Sequence, residues 1–284
     1  MAYDGTNFTG WSRQPANRTV QGELEQALAI ILGGSDPIAS LVVAGRTDAG
    51  VHATGQVAHL DLTENQVASL DRPGRGGLGG KPYDGPASLG RRLNGIAGSD
   101  NDLHVARTAL AAPGFDARFS ALSRTYEYRI ADLDAPRNPL ERLRTVWFPG
   151  RLNPDAMNAA SFALLGLHDW GSFCKPREGA TTVRTLEEFY WIAEPDGTLT
   201  ATVAADAFCH TMVRSLVGAC VAVGQGYLTL DRLRHIRDNP ARGSDFKVMP
   251  AHGLTMVGVT YPADEHLQAR ADLTRARRSP LRAH

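Results

Sequence analysis

The stretch Leu41-Val42-Val43-Ala44-Gly45-Arg46-Thr47-Asp48-Ala49-Gly50-Val51-His52 runs on, three residues later, into Gln56-Val57-Ala58-His59-Leu60-Asp61-Leu62. The apolar, β-branched residues at 41–44 and the run at 56–62 predict two strands, with the glycine-bracketed run 45–52 as the turn between them. An arginine and an aspartate, Arg46 and Asp48, therefore stand two residues apart on a loop held by strands, the kind of place where chemistry concentrates. A nearby positive charge favours the ionised carboxylate, and an ionised, positioned carboxylate serves as nucleophile or base. The same residues fit a plainer reading, an Asx-type turn at Thr47-Asp48-Ala49-Gly50 whose carboxylate satisfies only backbone donors.

Outward from this stretch, Thr19 is placed to cap a helix running to about Leu32. Val20, Leu24, Leu28 and Ile31 line one face, and Gly33-Gly34 ends it. Residues 71–86 hold six Gly and three Pro, which predicts a loop. A short helix over Ala87–Ile96 and a strand over Leu103–Arg107 follow. Strand, helix, strand, strand, helix, strand is the order of a ferredoxin-like half, although at Met1–Asp4 the first strand is short. The expectation is that residues precede Met1 in the natural protein.

Ala111-Ala112-Pro113-Gly114 is the expected domain boundary. Beyond it lie a strand at Thr125–Ile130, a helix capped by Asn153 and running from Pro154 to about Leu165, and strands near Arg184–Ile192 and Thr198–Ala205 joined by an Asp196-Gly197 turn. A long helix is expected from Phe208 to Val223, with Phe208, Met212 and Leu216 on one face and Thr211, Arg214 and Gly218 on another. A strand near Leu254–Tyr261 closes the second half. The fold class is thus α+β: two ferredoxin-like halves with mainly antiparallel sheets and an active-site cleft between them. The domains are 1–112 and 113–264, followed by an Arg-rich, disordered tail, 265–284.

Composition narrows the function. The 284 residues carry no net charge, so nothing global marks a nucleic-acid binder, yet only Lys81, Lys175 and Lys247 of the 30 basic residues are lysines. Arginine forks suit phosphates and planar groups, and genome composition accounts for the bias equally well. No run of about 18 apolar residues predicts a membrane span, and the N-terminus does not read as a signal peptide. Cys174, Cys209 and Cys220 form no C-x-x-C pair and read as reduced thiols in a cytoplasmic protein. Gly74–Gly79 matches G-x-G-x-x-G but sits in the Gly/Pro loop rather than between strand and helix, which argues against a dinucleotide site. Gly80-Lys81-Pro82 lacks the features of a phosphate loop. His168-Asp169 and Cys209-His210 are isolated pairs without metal-ligand spacing. Taken alone, Tyr126 reads as a half-buried strand residue, Arg214 as part of a solvated helix face and Leu254 as core.

Several segments together change that weighting. Tyr3-Asp4-Gly5-Thr6-Asn7-Phe8-Thr9-Gly10-Trp11, Gly45–Val57, Phe115–Phe119, Arg124–Tyr128, Phe208–Arg214 and Gly253-Leu254 resemble, in order and over nearly the whole chain, motifs of the TruA family of tRNA pseudouridine synthases. The resemblance implies a homodimer that isomerises uridine to pseudouridine at positions 38, 39 and 40 of the tRNA anticodon stem-loop, without cofactor or metal. Asp48 would attack either the ribose C1′ or the uracil ring. Arg46 would fill the vacated space or hold the backbone, and Tyr126 would stack on the flipped base. Leu254 would pack on the base's other face, Phe208 would join the substrate-binding residues, and Arg214 would pair with Asp48. Against the family pattern, the 71–86 loop is long and carries Arg72, Arg75 and Lys81, which predicts weak contact with tRNA. A tRNA-binding module without catalysis, and a nucleotide hydrolase using Asp48 as base, are the rival readings.

Overall fold

The computed structural model describes residues 1–33, 40–70, 85–98, 100–175, 181–240 and 245–276. The glycine-rich match at 74–79, Lys81 and most of the predicted 71–86 loop lie outside these residues. The structure is α+β with mainly antiparallel sheet, as the element order predicts. It divides into two compact units, Met1–Ala121 with Pro262–Leu273, and one built on Leu122–Tyr261.

In the first unit, β1 (Ala2–Tyr3) leads to α1 (Val20–Leu32), β2 (Val42–Val43), β3 (His52–Ala53), β4 (Ala58–His59), α2 (Glu64–Leu70), α3 (Gly85–Asn94) and β5 (Leu103–His104). The capping prediction for α1 holds. The Thr19 side chain accepts from Gly22 N, Val20, Leu24, Leu28 and Ile31 are buried, and Gly33 ends the helix at φ +55°. Burial of each such side chain contributes about 1.5–3 kcal/mol. Strand pairing departs from the simple hairpin expected around Asp48. β2 pairs with β4, Val43 opposite Ala58, while β3 inside the predicted turn pairs instead with β1, Ala53 opposite Tyr3. Ala44 N donates to Val57 O at 2.9 Å, and Gln56 Nε2 donates to Gly45 O at 2.8 Å. These bonds close the base of a twelve-residue excursion, 45–56. The run is too long for a tight hairpin, so its backbone groups find partners elsewhere, as buried backbone must. β5 also flanks β1.

In the second unit, β6 (Ser123–Ala131), β7 (Val146–Trp147), α4 (Pro154–Ala163), β8 (Gly166–Asp169), β9 (Val183–Ala193), β10 (Leu199–Ala205), α5 (Met212–Gly224), α6 (Leu230–Asp238) and β11 (Leu254–Thr260) follow. The sheet runs β11-β6-β10-β9-β8, antiparallel throughout, with β7 parallel to the end of β6. β6-α4-β9-β10-α5-β11 is the βαββαβ order of the ferredoxin-like fold. Asn153 caps α4 as expected, its Oδ1 accepting from Asp155 N and Ala156 N. On β6, Arg124, Tyr126, Tyr128 and Ile130 face the core while Ser123, Thr125, Glu127 and Arg129 face the other way. α4 packs on β9 and α5, and Trp191 Nε1 donates to Ser161 Oγ at 3.1 Å across that layer. After β11, α7 (Leu267–Arg275) occupies part of the stretch expected to be a frayed tail. Leu267 and Ala271 are buried, so one apolar helical face outweighs the run of charges.

Candidate active site

The 45–52 excursion is held by the segment that follows β1. Tyr3 Oη lies 2.8 Å from Thr47 Oγ1 and accepts from Gln56 Nε2 at 3.1 Å. Trp11 N donates to Thr47 O at 3.0 Å, Gly50 N to Phe8 O at 3.3 Å, and Val51 N to Asp48 O at 3.1 Å. Gly5 N donates to His52 Nδ1 at 3.0 Å. Two glycines make this clasp possible. A Cβ on Gly5 would stand 2.1 Å from Val51 O. One on Gly10, which sits at φ +83°, would stand 2.9 Å from Thr47 O and 3.2 Å from the carbonyl carbon of Asp48. Tyr3, Phe8 and Trp11 are buried beneath, and Tyr3 packs its ring against both of the others. Burial pushes the Tyr3 phenol up to about 12, against the hydrogen bonds with Thr47 and Gln56. The result is an excursion whose Thr47 is buried while Arg46 is exposed and Asp48 half-buried. A half-buried carboxylate on a fixed backbone is pre-organised for nucleophilic or base chemistry.

The second unit carries the other predicted residues. Tyr126 lies mid-strand on β6, opposite Val203 on one side and Met256 on the other. Leu254 faces Tyr128 in the same register, two places along, and so shares the sheet face of Tyr126. The Phe208 ring meets that of Tyr126 edge to face at 5.2 Å between centroids. Phe208 is not on the helix, contrary to the sequence reading. α5 begins at Met212, because Thr211 takes a left-handed φ of +67° and makes no side-chain cap. Before that break, Asp206 is tied to β9, its Oδ1 accepting from Thr185 N at 3.1 Å, and its carbonyl accepts from Arg124 Nη1 at 2.7 Å. Phe208 is therefore aimed by a connection, not by helical periodicity.

Arg214 stands in the first turn of α5. Its face, read as solvated, is covered: Nε donates to Met249 O at 2.6 Å, and a Cβ on Gly218 would stand 1.9 Å from Lys247 O. Tyr128 Oη donates to Pro250 O at 2.8 Å, and burial holds its phenol far above the usual range while the Arg214 charge acts against that rise. The structure thus places Arg46 and Asp48 on one turn, Tyr126, Phe208 and Leu254 on one face, and Arg214 near the Tyr128 hydroxyl. Sequence reasoning passed over Arg124, whose signal was an arginine at the buried parity of β6. It also gave no role to Gly5 and Gly10, two glycines in an otherwise aromatic-rich segment. Among the described residues, no group of three or more His, Cys, Asp or Glu could hold a metal ion, and no helix is long and apolar enough to cross a membrane.

A family model described as tRNA pseudouridine synthase matches residues 160–262. A protein of Leifsonia xyli named tRNA pseudouridine synthase A is 56% identical over 281 residues, covering 98% of this chain and 96% of its own. Proteins of the same name from Frankia casuarinae and Cutibacterium acnes are 49% and 46% identical, covering 99% and 98% of this chain and 94% and 93% of their own.

Proposed function

The chain belongs to the tRNA pseudouridine synthase family, and on that premise we propose that it isomerises uridine to pseudouridine in the anticodon stem-loop of tRNA, at positions 38, 39 and 40, with Asp48 as the reacting carboxylate. The observation that carries the reading is the clasp around the 45–52 turn, which fixes the backbone of one half-buried aspartate in a near-full-length relative of these enzymes. The reaction breaks the N1–C1′ glycosidic bond, turns the base and joins C5 to C1′. The C5 proton is lost and N1 regains one, so no redox change occurs. Asp48 attacks C1′ or the ring, and both routes require it ionised.

In this reading the target uridine leaves its stack, at a cost of a few kcal/mol. Tyr126 receives the flipped base on its ring and assists proton removal at C5. Phe208 holds that ring edge-on, and Leu254 packs on the other side of the base. Arg46 occupies the space the base has left or steadies the backbone, and Arg214 supplies the countercharge to Asp48. An RNA stem offers shape and phosphate rather than readable base edges, which suits several adjacent target positions. The enzyme works in the cytoplasm as a homodimer with tRNA across both subunits.

The test is pseudouridine mapping on tRNA transcripts incubated with the wild-type chain and with Tyr126→Phe. Modification confined to 38–40 by the wild type, and slowed in the variant, supports the reading. Modification elsewhere in the tRNA, or an unaffected variant, overturns the site or the role of Tyr126. A non-catalytic tRNA-binding module would bind the transcripts and leave every uridine unchanged.

A further inference from the structure

Arg124 is a charged residue at a core position. It stands on β6 at the parity that faces the core, two places before Tyr126, and is only 7% exposed. Ala205 of β10 and Val259 of β11 lie opposite it. Burying a charge is costly unless its donors are used, and an apolar side chain would serve packing better. The hydrogen bonds of the guanidinium are therefore what the position gains. One of them reaches the start of the Phe208 connection, where Nη1 donates to Asp206 O at 2.7 Å. We propose that Arg124 is a positioning residue for the isomerisation, pinning the connection 206–211 so that the Phe208 ring stays edge-on against Tyr126.

The connection is held at both ends. Asp206 N donates to Thr185 O at 3.2 Å, its Oδ1 accepts from Thr185 N at 3.1 Å, and its carbonyl takes the Arg124 bond. At the far end Lys175 N donates to His210 O at 3.0 Å and Met212 N to Cys209 O at 3.1 Å. Thr211 then carries a φ of +67°, a conformation that a β-branched residue rarely adopts. Strain of this kind persists only where the surroundings over-determine it, so the segment depends on its anchors. Register breaks stand beside it: β10 shifts against β9 between Ala204 and Ala205, and β11 against β6 between Met256 and Gly258. Bulges bend a strand and interrupt its ladder, so strand pairing by itself is a poor guide for the chain beyond Ala205. The Thr185 bonds tie Asp206 to β9. The Arg124 bond ties it to β6, the strand that carries Tyr126.

That bond therefore couples the mounts of the two rings. Phe208 follows Asp206 by two residues and meets Tyr126 at 5.2 Å between centroids. Without the guanidinium the connection loses its tie to β6, and the Phe208 ring drifts off Tyr126. The expected loss is that of one edge-to-face pair, about threefold to tenfold in kcat. KM for tRNA should change little, because the change falls on the ring that receives the base. Arg124 acts through Phe208 and not on the base. The consequence for rate rests on the role proposed above for Tyr126, whereas the anchoring of Phe208 does not.

The experiment compares, in the full-length chain, Arg124→Met, which keeps an unbranched stem and removes the donors, with Arg124→Lys, which retains a donor. Two quantities are read: the nuclear Overhauser contact between the Tyr126 and Phe208 rings, and the rate of pseudouridine formation on tRNA transcripts at saturation. Arg124→Met should lose the ring contact and about threefold to tenfold in kcat, and Arg124→Lys should recover most of both. Adding Phe208→Ala to Arg124→Met should cost nothing further, whereas independent effects would multiply to about tenfold to a hundredfold. Asn153→Ala, which lowers stability from α4, should keep both the ring contact and kcat. Where Arg124→Met melts below the assay temperature, Arg124→Gln takes its place with the same results expected. A ring contact that survives in Arg124→Met, losses that multiply in the double variant, or a lost contact at full rate while Phe208→Ala is slow would each overturn the proposal. A wild-type chain that makes no pseudouridine, or Phe208→Ala at full rate, would defeat the function proposed above instead, and the ring contact would still decide the anchor.

Discussion

Replacing Gly10 by alanine tests whether the clasp governs the reacting carboxylate. Gly10 sits at φ +83°, and its missing Cβ would lie 2.9 Å from Thr47 O, 3.2 Å from Asp48 C and 3.2 Å from Ala49 N. Those neighbours are backbone atoms and cannot swing aside. The left-handed conformation costs an L-residue about 1–2 kcal/mol, and relief of the contacts pushes the 47–49 backbone outward by about half an ångström, given ordinary carbon contacts near 3.5 Å. A shift of that size at the nucleophile should lower kcat by about tenfold or more. KM for tRNA should change little, because the turn's backbone moves while the RNA-contacting surface stays. Gly33→Ala is the matched control: it too has positive φ, +55°, but a Cβ there would meet nothing within 4 Å. Both variants should lose stability in a thermal melt, a few degrees at about 2–4 °C per kcal/mol. Only Gly10→Ala should lose turnover under saturating tRNA. Full turnover in Gly10→Ala, or an equal loss in Gly33→Ala, would refute the idea that this contact positions Asp48.

Tyr3→Phe removes the hydroxyl that links Thr47 and Gln56 and should cost about 1 kcal/mol at neutral pH in a urea titration. Because burial raises the folded Tyr3 pKa from 10 to about 12, its contribution is complete below pH 10 and is lost as pH climbs from 10 to 12. The variant should therefore show a shallower alkaline loss of stability over that window, and an unchanged slope would remove Tyr3 as its source. Phe208→Ala deletes an edge-to-face contact worth about 0.5–1.5 kcal/mol; kcat/KM on tRNA should fall about threefold to tenfold, and wild-type kinetics would exclude Phe208 from the site. Asn153→Ala strips two capping bonds from α4 and should cost about 1 kcal/mol of stability with kcat unchanged, a result that separates stability from turnover.

The helices with chemical start signals were the most legible part of the chain. Thr19 before α1 and Asn153-Pro154 before α4 each pair a side-chain acceptor with an apolar face, and both helices begin where those signals stand. β6 was equally plain through its alternation, and β9 and β10 through the Asp196-Gly197 turn between them. Short strands were not. β3 has two residues and lies inside a run whose composition reads as a turn; only its partner β1 makes it a strand. α5 was misjudged at its start because periodicity cannot see a single left-handed residue, Thr211, that uncouples Phe208 from the helix. Within the proposed site, Asp48 and Tyr126 stand out through the motifs around them. Gly5 and Gly10 were quoted without a function, since what they make room for lies about forty residues downstream.

Tritium release from tRNA labelled at uracil C5 tests the central claim most directly, comparing the wild-type chain with Asp48→Asn, which keeps the shape of the side chain and removes its charge. The wild type should release tritium as C5 bonds to the ribose, and the variant should release none while still binding tRNA. Equal release from both proteins would contradict the assignment of Asp48.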